Sequence, residues 1–149
     1  MFDLYKLSKY FEIPKILFFL QESCQTINDP QEILFIFSFG KISKEEEEYF
    51  LEFLEYGDMK QKLSENIQIC FKNFYFKSEF PLTASFKILQ GCKNKDLIPH
   101  NDLYELIIKS VEERYCFLAF LDIYQLSDFR RNNLLTSINQ IEEARRQNL

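Results

Sequence analysis

His100 is the single histidine of this chain, and Cys92 lies eight residues before it. A thiol beside an imidazole is the minimum for nucleophilic catalysis, with the imidazole taking the proton and the thiolate attacking. Such a pair also needs a group that orients the imidazole and donors for a developing oxyanion. Neither is recognisable nearby, and Pro99 and Asn101 give His100 the setting of a turn residue before a helix cap. Cys24, Cys70, Cys92 and Cys116 stand singly with no C-x-x-C pair, which disfavours a zinc site and a thioredoxin-like centre. Mostly apolar neighbours give Cys70 and Cys116 the character of small buried hydrophobes. No Gly-rich phosphate loop, G-x-S-x-G or H-E-x-x-H occurs. No catalytic residue, cofactor or metal site is therefore assigned.

The strongest charge feature is acidic: Glu45, Glu46, Glu47, Glu48, Glu52, Glu55 and Asp58. Consecutive glutamates on a helix point in different directions, and no histidine completes a di-iron pattern, so this is no metal site. The cluster reads either as a solvated helix face with charge matched to the dipole or as a docking surface for a basic partner. On the second reading Glu45, Glu48, Glu52, Glu55 and Asp58 are the partner-binding residues. Arg130–Arg131 and Arg145–Arg146 could share a stripe on the last helix. Arg145 and Arg146 also sit where a helix C-terminus favours positive charge, with Glu142 placed to pair with Arg146. Four arginines without interleaved aromatics, on a chain of net charge −5, make a poor nucleic-acid footprint.

These side chains need helices to hold them, and the helix signals are clear. Ser43-Lys44-Glu45-Glu46 is a capping box that opens a helix over residues 43–57, with Phe50, Phe53 and Leu54 on its apolar face and Gly57 as its stop. Asp29-Pro30-Gln31-Glu32 opens another, ended by Gly40. Asp58 starts a third, in which Leu63, Ile67, Cys70, Phe71 and Phe74 follow helical spacing. Short connections make residues 29–76 an up-down-up unit. Pro14 separates helices over residues 2–11 and 15–26, and residues 83–90 form a further helix. Gly91 to Asn101 is the longest loop; Asp102 opens a long helix to residue 126, apolar on every side at 116–121, and Ser127 or Asp128 caps the last. Residues 33–39 and 67–77 also suit buried strands, but capped starts and helical spacing favour helix. No repeat period is present.

The length of 149 residues fits one domain. The expected fold is all-α: a single domain over residues 1–149, an irregular antiparallel bundle of seven or eight helices around the helix at 102–126. Scattered cysteines, no leader pattern and apolar runs too short to span a bilayer predict a cytoplasmic protein without a membrane segment. Acidic asymmetry strengthens the binding case, since residues 1–76 carry 8 basic and 13 acidic side chains. In size and charge the chain resembles small acidic helical proteins that neutralise another protein, such as toxin-immunity proteins. The expected function is therefore a non-enzymatic regulator that occludes a basic protein partner. The alternative rests on 25 Phe and Tyr residues, more than one small core hides. Exposure among Phe2, Tyr5, Tyr10, Phe11, Phe18 and Phe19 would mark an assembly subunit that self-associates, for instance as a homodimer.

The helical register predicts that Leu63, Ile67, Cys70, Phe71 and Phe74 pack toward Phe117, Leu118 and Leu121. Phe71→Ala should lower the unfolding free energy by roughly 3–5 kcal/mol in urea titration. A loss below about 1 kcal/mol, the scale of a surface substitution, would remove Phe71 from the core.

Overall fold

The computed structural model describes residues 1–38, 42–112 and 128–148. The protein is all-α, and no strand occurs among the described residues. Its α-helices are α1 (Phe2–Tyr10), α2 (Pro14–Gln25), α3 (Pro30–Phe37), α4 (Lys44–Leu54), α5 (Met59–Glu65), α6 (Ile67–Lys72), α7 (Phe74–Ser78), α8 (Leu82–Gln90), α9 (His100–Glu112) and α10 (Asp128–Gln147). Contacts divide the chain into two compact units, Met1–Lys93 and Asn94–Leu149.

Ten described helices exceed the seven or eight expected, because residues 58–76 form three pieces instead of one. Two asparagines cause the breaks. Asn66 leaves helical geometry (φ −121°, ψ 37°), and its side-chain amide donates to the Lys62 carbonyl at 2.8 Å. Asn73 is extended (ψ 124°), and its side-chain oxygen accepts from the Phe76 amide at 3.0 Å, capping α7. Both are local side-chain bonds that compete with helix continuation. The breaks also change the expected core. Leu63, Ile67, Cys70 and Phe71 are buried, but Phe74 lies past the second break and is 80% exposed, with Phe76 buried in its stead. Phe117, Leu118 and Leu121 lie outside the described residues, as do Gly40, Cys116 and the expected helix beyond residue 112.

The other boundaries follow their caps. Asp29 accepts from the Gln31 amide at 3.0 Å with Pro30 at the first position of α3. Ser43 accepts from the Glu46 amide at 3.3 Å, and its hydroxyl donates to the Glu46 carboxylate at 3.0 Å, so the box closes through side chains. Asp58 makes no side-chain cap; it is left-handed (φ 57°) and ends a 3-10 turn, Tyr56–Asp58. In the second unit, α9 begins at His100, two residues before the expected Asp102, with the Leu103 amide donating to the Pro99 carbonyl at 3.0 Å.

Within Met1–Lys93, α1 packs on α2 and α4, α3 on α5 and α6, and α8 on α4 and α5. The centre is aromatic. Phe37 and Phe50 rings lie 4.5 Å apart, Tyr5 stacks on Phe53 at 4.8 Å, and Phe80 meets Phe50 edge-on at 5.0 Å. Tilted and edge-on pairs at such separations add to burial through the ring quadrupoles. The end of α2 is held from below by the Lys62 amino group, which donates to the Ile27 carbonyl at 2.8 Å and the Gln25 carbonyl at 3.3 Å.

Gly57 shows how tightly the 3-10 turn meets α2. Its φ is 57°, and a Cβ there would stand 2.4 Å from the Cys24 carbonyl carbon. The left-handed conformation costs a non-glycine residue about 1–2 kcal/mol before any clash. Gly57→Ala should therefore destabilise the protein by more than about 2 kcal/mol. Thermal unfolding with an unchanged midpoint would contradict this contact.

Candidate interaction surface

Helix α1 carries two apolar stripes. Phe2 and Tyr5 are buried, whereas Leu4, Leu7 and Phe11, at helical spacing, are exposed together with Tyr10. One helix side reaches the core and the other is exposed. Past the turn at Glu12 (φ 52°), α2 repeats the arrangement: Leu20 and Cys24 are buried, and Phe18 and Phe19 are more than half exposed. Tyr10 is 76% exposed, its ring edge-on to Phe11 at 5.0 Å. Of the six aromatics expected to compete for the surface, Phe2 and Tyr5 are therefore core, and Tyr10, Phe11, Phe18 and Phe19 are outside it.

Where α1 crosses α4 there is a groove of about 530 Å³ lined by Asp3, Lys6, Leu7, Tyr10, Glu45, Glu46 and Tyr49. Leu7 and the two tyrosines supply apolar surface, and three carboxylates and one ammonium complete the lining. Lys6 bridges the helices. Its amino group bonds Glu46, lies 3.1 Å from Asp3, and sits 4.9 Å above the Phe2 ring. Burial alone would pull Lys6 down, but the bonds to Glu46 and Asp3 outweigh it and hold its pKa above the ordinary value. The same Lys6 bond lowers Glu46 against a smaller opposing cost of burial.

A second set of contacts lies along the same helix pair. Tyr5 donates to the Glu52 carboxylate at 2.8 Å, and Lys9 approaches that carboxylate at 3.4 Å. Burial first, then the Glu52 carboxylate, pushes the Tyr5 hydroxyl far above its ordinary pKa. Glu55 pairs with Lys60 at 2.7 Å. The five acidic candidates thus occupy different settings. All five are exposed; Glu45 lines the groove, and Glu52 and Glu55 are in addition paired with Lys9 and Lys60. Glu45 and Glu48 make no ion pair among the described residues.

Asp3, Lys6, Leu7 and Tyr49 were not legible as site residues, whereas Tyr10 was among the aromatics expected to mark an interaction surface and is exposed. Cys92 is buried, its thiol donating to the Ser64 carbonyl at 3.3 Å, and His100 belongs to the other compact unit. Burial pushes the Cys24 thiol up to about 11 and the Cys70 thiol up to about 12, which disfavours the reactive thiolate. No group of three or more metal-ligating side chains occurs among the described residues, and none of the described helices is long and apolar enough to cross a membrane.

Comparison of the chain with protein-family models, curated proteins and solved structures returned no match.

The Lys6–Glu46 bridge has a definite pH signature. A carboxylate held below its ordinary value of 4.5 stabilises the fold above that value and loses the contribution as pH falls through the folded-state pKa. Both groups are partly exposed, so Glu46→Gln should cost only about 0.5–1 kcal/mol at neutral pH. Urea midpoints of wild type and variant should converge well below pH 4.5. A gap of constant size across that window would assign the loss to packing instead of charge.

Proposed function

We propose that this chain is a non-enzymatic protein-binding regulator, an inhibitor or immunity-type protein that occludes the surface of a basic protein partner. The observation that carries this reading is the outward stripe of α1 and its neighbours in α2: Leu7, Tyr10, Phe11, Phe18 and Phe19, each more than half exposed. Burying such rings against a partner supplies the association energy, and interfaces typically place aromatics at the centre with charge at the rim. Glu45 and Glu48, which make no ion pair among the described residues, lie on α4, which packs on α1. Their charge would accelerate encounter with a basic protein more than it would add affinity. Occlusion needs no chemistry from this chain, in keeping with buried, high-pKa thiols at Cys24 and Cys70. A cytoplasmic, reducing setting fits the free thiols of Cys24 and Cys70.

The same exposed rings support a second reading, an assembly subunit that pairs with its own copy through Phe18 and Phe19. Light scattering separates the two. A dimer that becomes monomeric on Phe18→Asp or Phe19→Asp favours assembly, and a strict monomer at high concentration removes it.

For the first reading, the partner should be recovered with tagged protein from the native host, and its association rate measured by stopped flow. The rate should fall severalfold with added salt and again with Glu45→Lys plus Glu48→Lys, while Phe18→Asp should mainly speed dissociation. A rate indifferent to both salt and charge reversal would overturn electrostatic steering, and a dissociation rate untouched at Phe18 would overturn the aromatic contact.

A further inference from the structure

We infer that the groove between α1 and α4 is a receptor for one cationic side chain, an arginine or lysine projected by a protein partner. This rests on the protein-binding reading and gives it a point of attachment. The groove's chemistry is that of a long basic side chain turned inside out. Leu7, Tyr10 and Tyr49 offer apolar surface for a methylene stem, and Glu45, which makes no ion pair among the described residues, offers a carboxylate for the charged head. The tyrosine rings add π surfaces that attract a cation.

The protein already contains one example of this recognition. The Lys6 ammonium lies over the Phe2 ring between Asp3 and Glu46, and its pKa is raised by those carboxylates. One lysine against Asp3, Glu45 and Glu46 leaves the lining with an excess of two negative charges, and Glu45 has no ion pair among the described residues. Other occupants fit less well. A wholly apolar side chain would shield Glu45 from water with no compensating partner. An acidic one would be repelled. A second copy of this chain would bring its own net charge of −5 toward the acidic rim. The volume of about 530 Å³ lies within the roughly 300–1,000 Å³ common among ligand clefts, enough for an extended side chain.

The test uses a capped tripeptide, acetyl-Leu-Arg-Leu-amide, titrated into the full chain and followed by amide chemical shifts. Versions with citrulline or glutamate in place of arginine serve as controls. The arginine peptide should shift Leu7, Tyr10, Glu45 and Tyr49, and citrulline should bind at least roughly tenfold more weakly, the loss expected for one charge-assisted contact. Glu45→Gln and Tyr10→Ser are both at exposed positions and should each weaken the arginine peptide while leaving the spectrum folded. Equal binding of the arginine and citrulline peptides, no shift at all, or self-association through the same residues without peptide would each overturn the cation receptor. If the receptor fails while Phe18→Asp still speeds dissociation of the recovered partner, the broader protein-binding reading stands. If both fail, it falls as well.

Discussion

The Phe2 ring is the constraint on which the N-terminal unit depends. It meets Phe37 of α3 at 6.1 Å, Phe50 of α4 edge-on at 5.4 Å and Phe53 at 6.1 Å, so one side chain near the chain's first residue joins three helices. Phe37 and Phe50 carry the contact on to Phe80. Aromatic rings bury large areas with only two rotatable side-chain bonds, so a core built from them is costly to rearrange. Because Phe2 and Tyr5 face inward, α1 must turn Leu4, Leu7 and Phe11 outward. The exposed surface follows from the core.

Polar contacts tie α1 to α4 at two places. Lys6 holds Glu46 near the start of α4, while Tyr5 and Lys9 converge on Glu52 one and a half turns further along. Each is partly exposed and individually modest. Together they join the two helices that line the groove. The acidic helix is therefore divided in use. Glu46 and Glu52 bond to side chains of α1, and Glu45 and Glu48 are exposed.

Much of the helical framework was legible in the sequence because caps act locally. Asp29 with Pro30, and Ser43 with Glu46, mark their helix starts within three residues, and the structure places them as read. The breaks at Asn66 and Asn73 were not, because an asparagine inside an apolar period looks like a tolerated polar residue until its side chain is seen to bond backbone. Phe74 was misplaced for the same reason, since periodicity carries no information across a break. The groove was out of reach for another reason. Asp3, Lys6 and Tyr10 meet Glu45, Glu46 and Tyr49 only through the crossing of two helices some forty residues apart in the chain, and no spacing rule encodes a crossing. The exposed aromatics lay between these cases: their number pointed to exposure among six named rings, but which of the six were outside depended on the inward orientation of Phe2 and Tyr5.

Three thiols are enclosed in different parts of the structure: Cys24 late in α2, Cys70 in α6 and Cys92 just after α8. An alkylating reagent meets such a group only when its surroundings part, so each thiol acts as a clock for the opening of its own neighbourhood. Cys24 times the junction of α2 with the turn at Gly57, and Cys70 times α6, the one short helix between the two asparagine breaks. Without any added label, the chain carries a graded record of which of its regions loosens first.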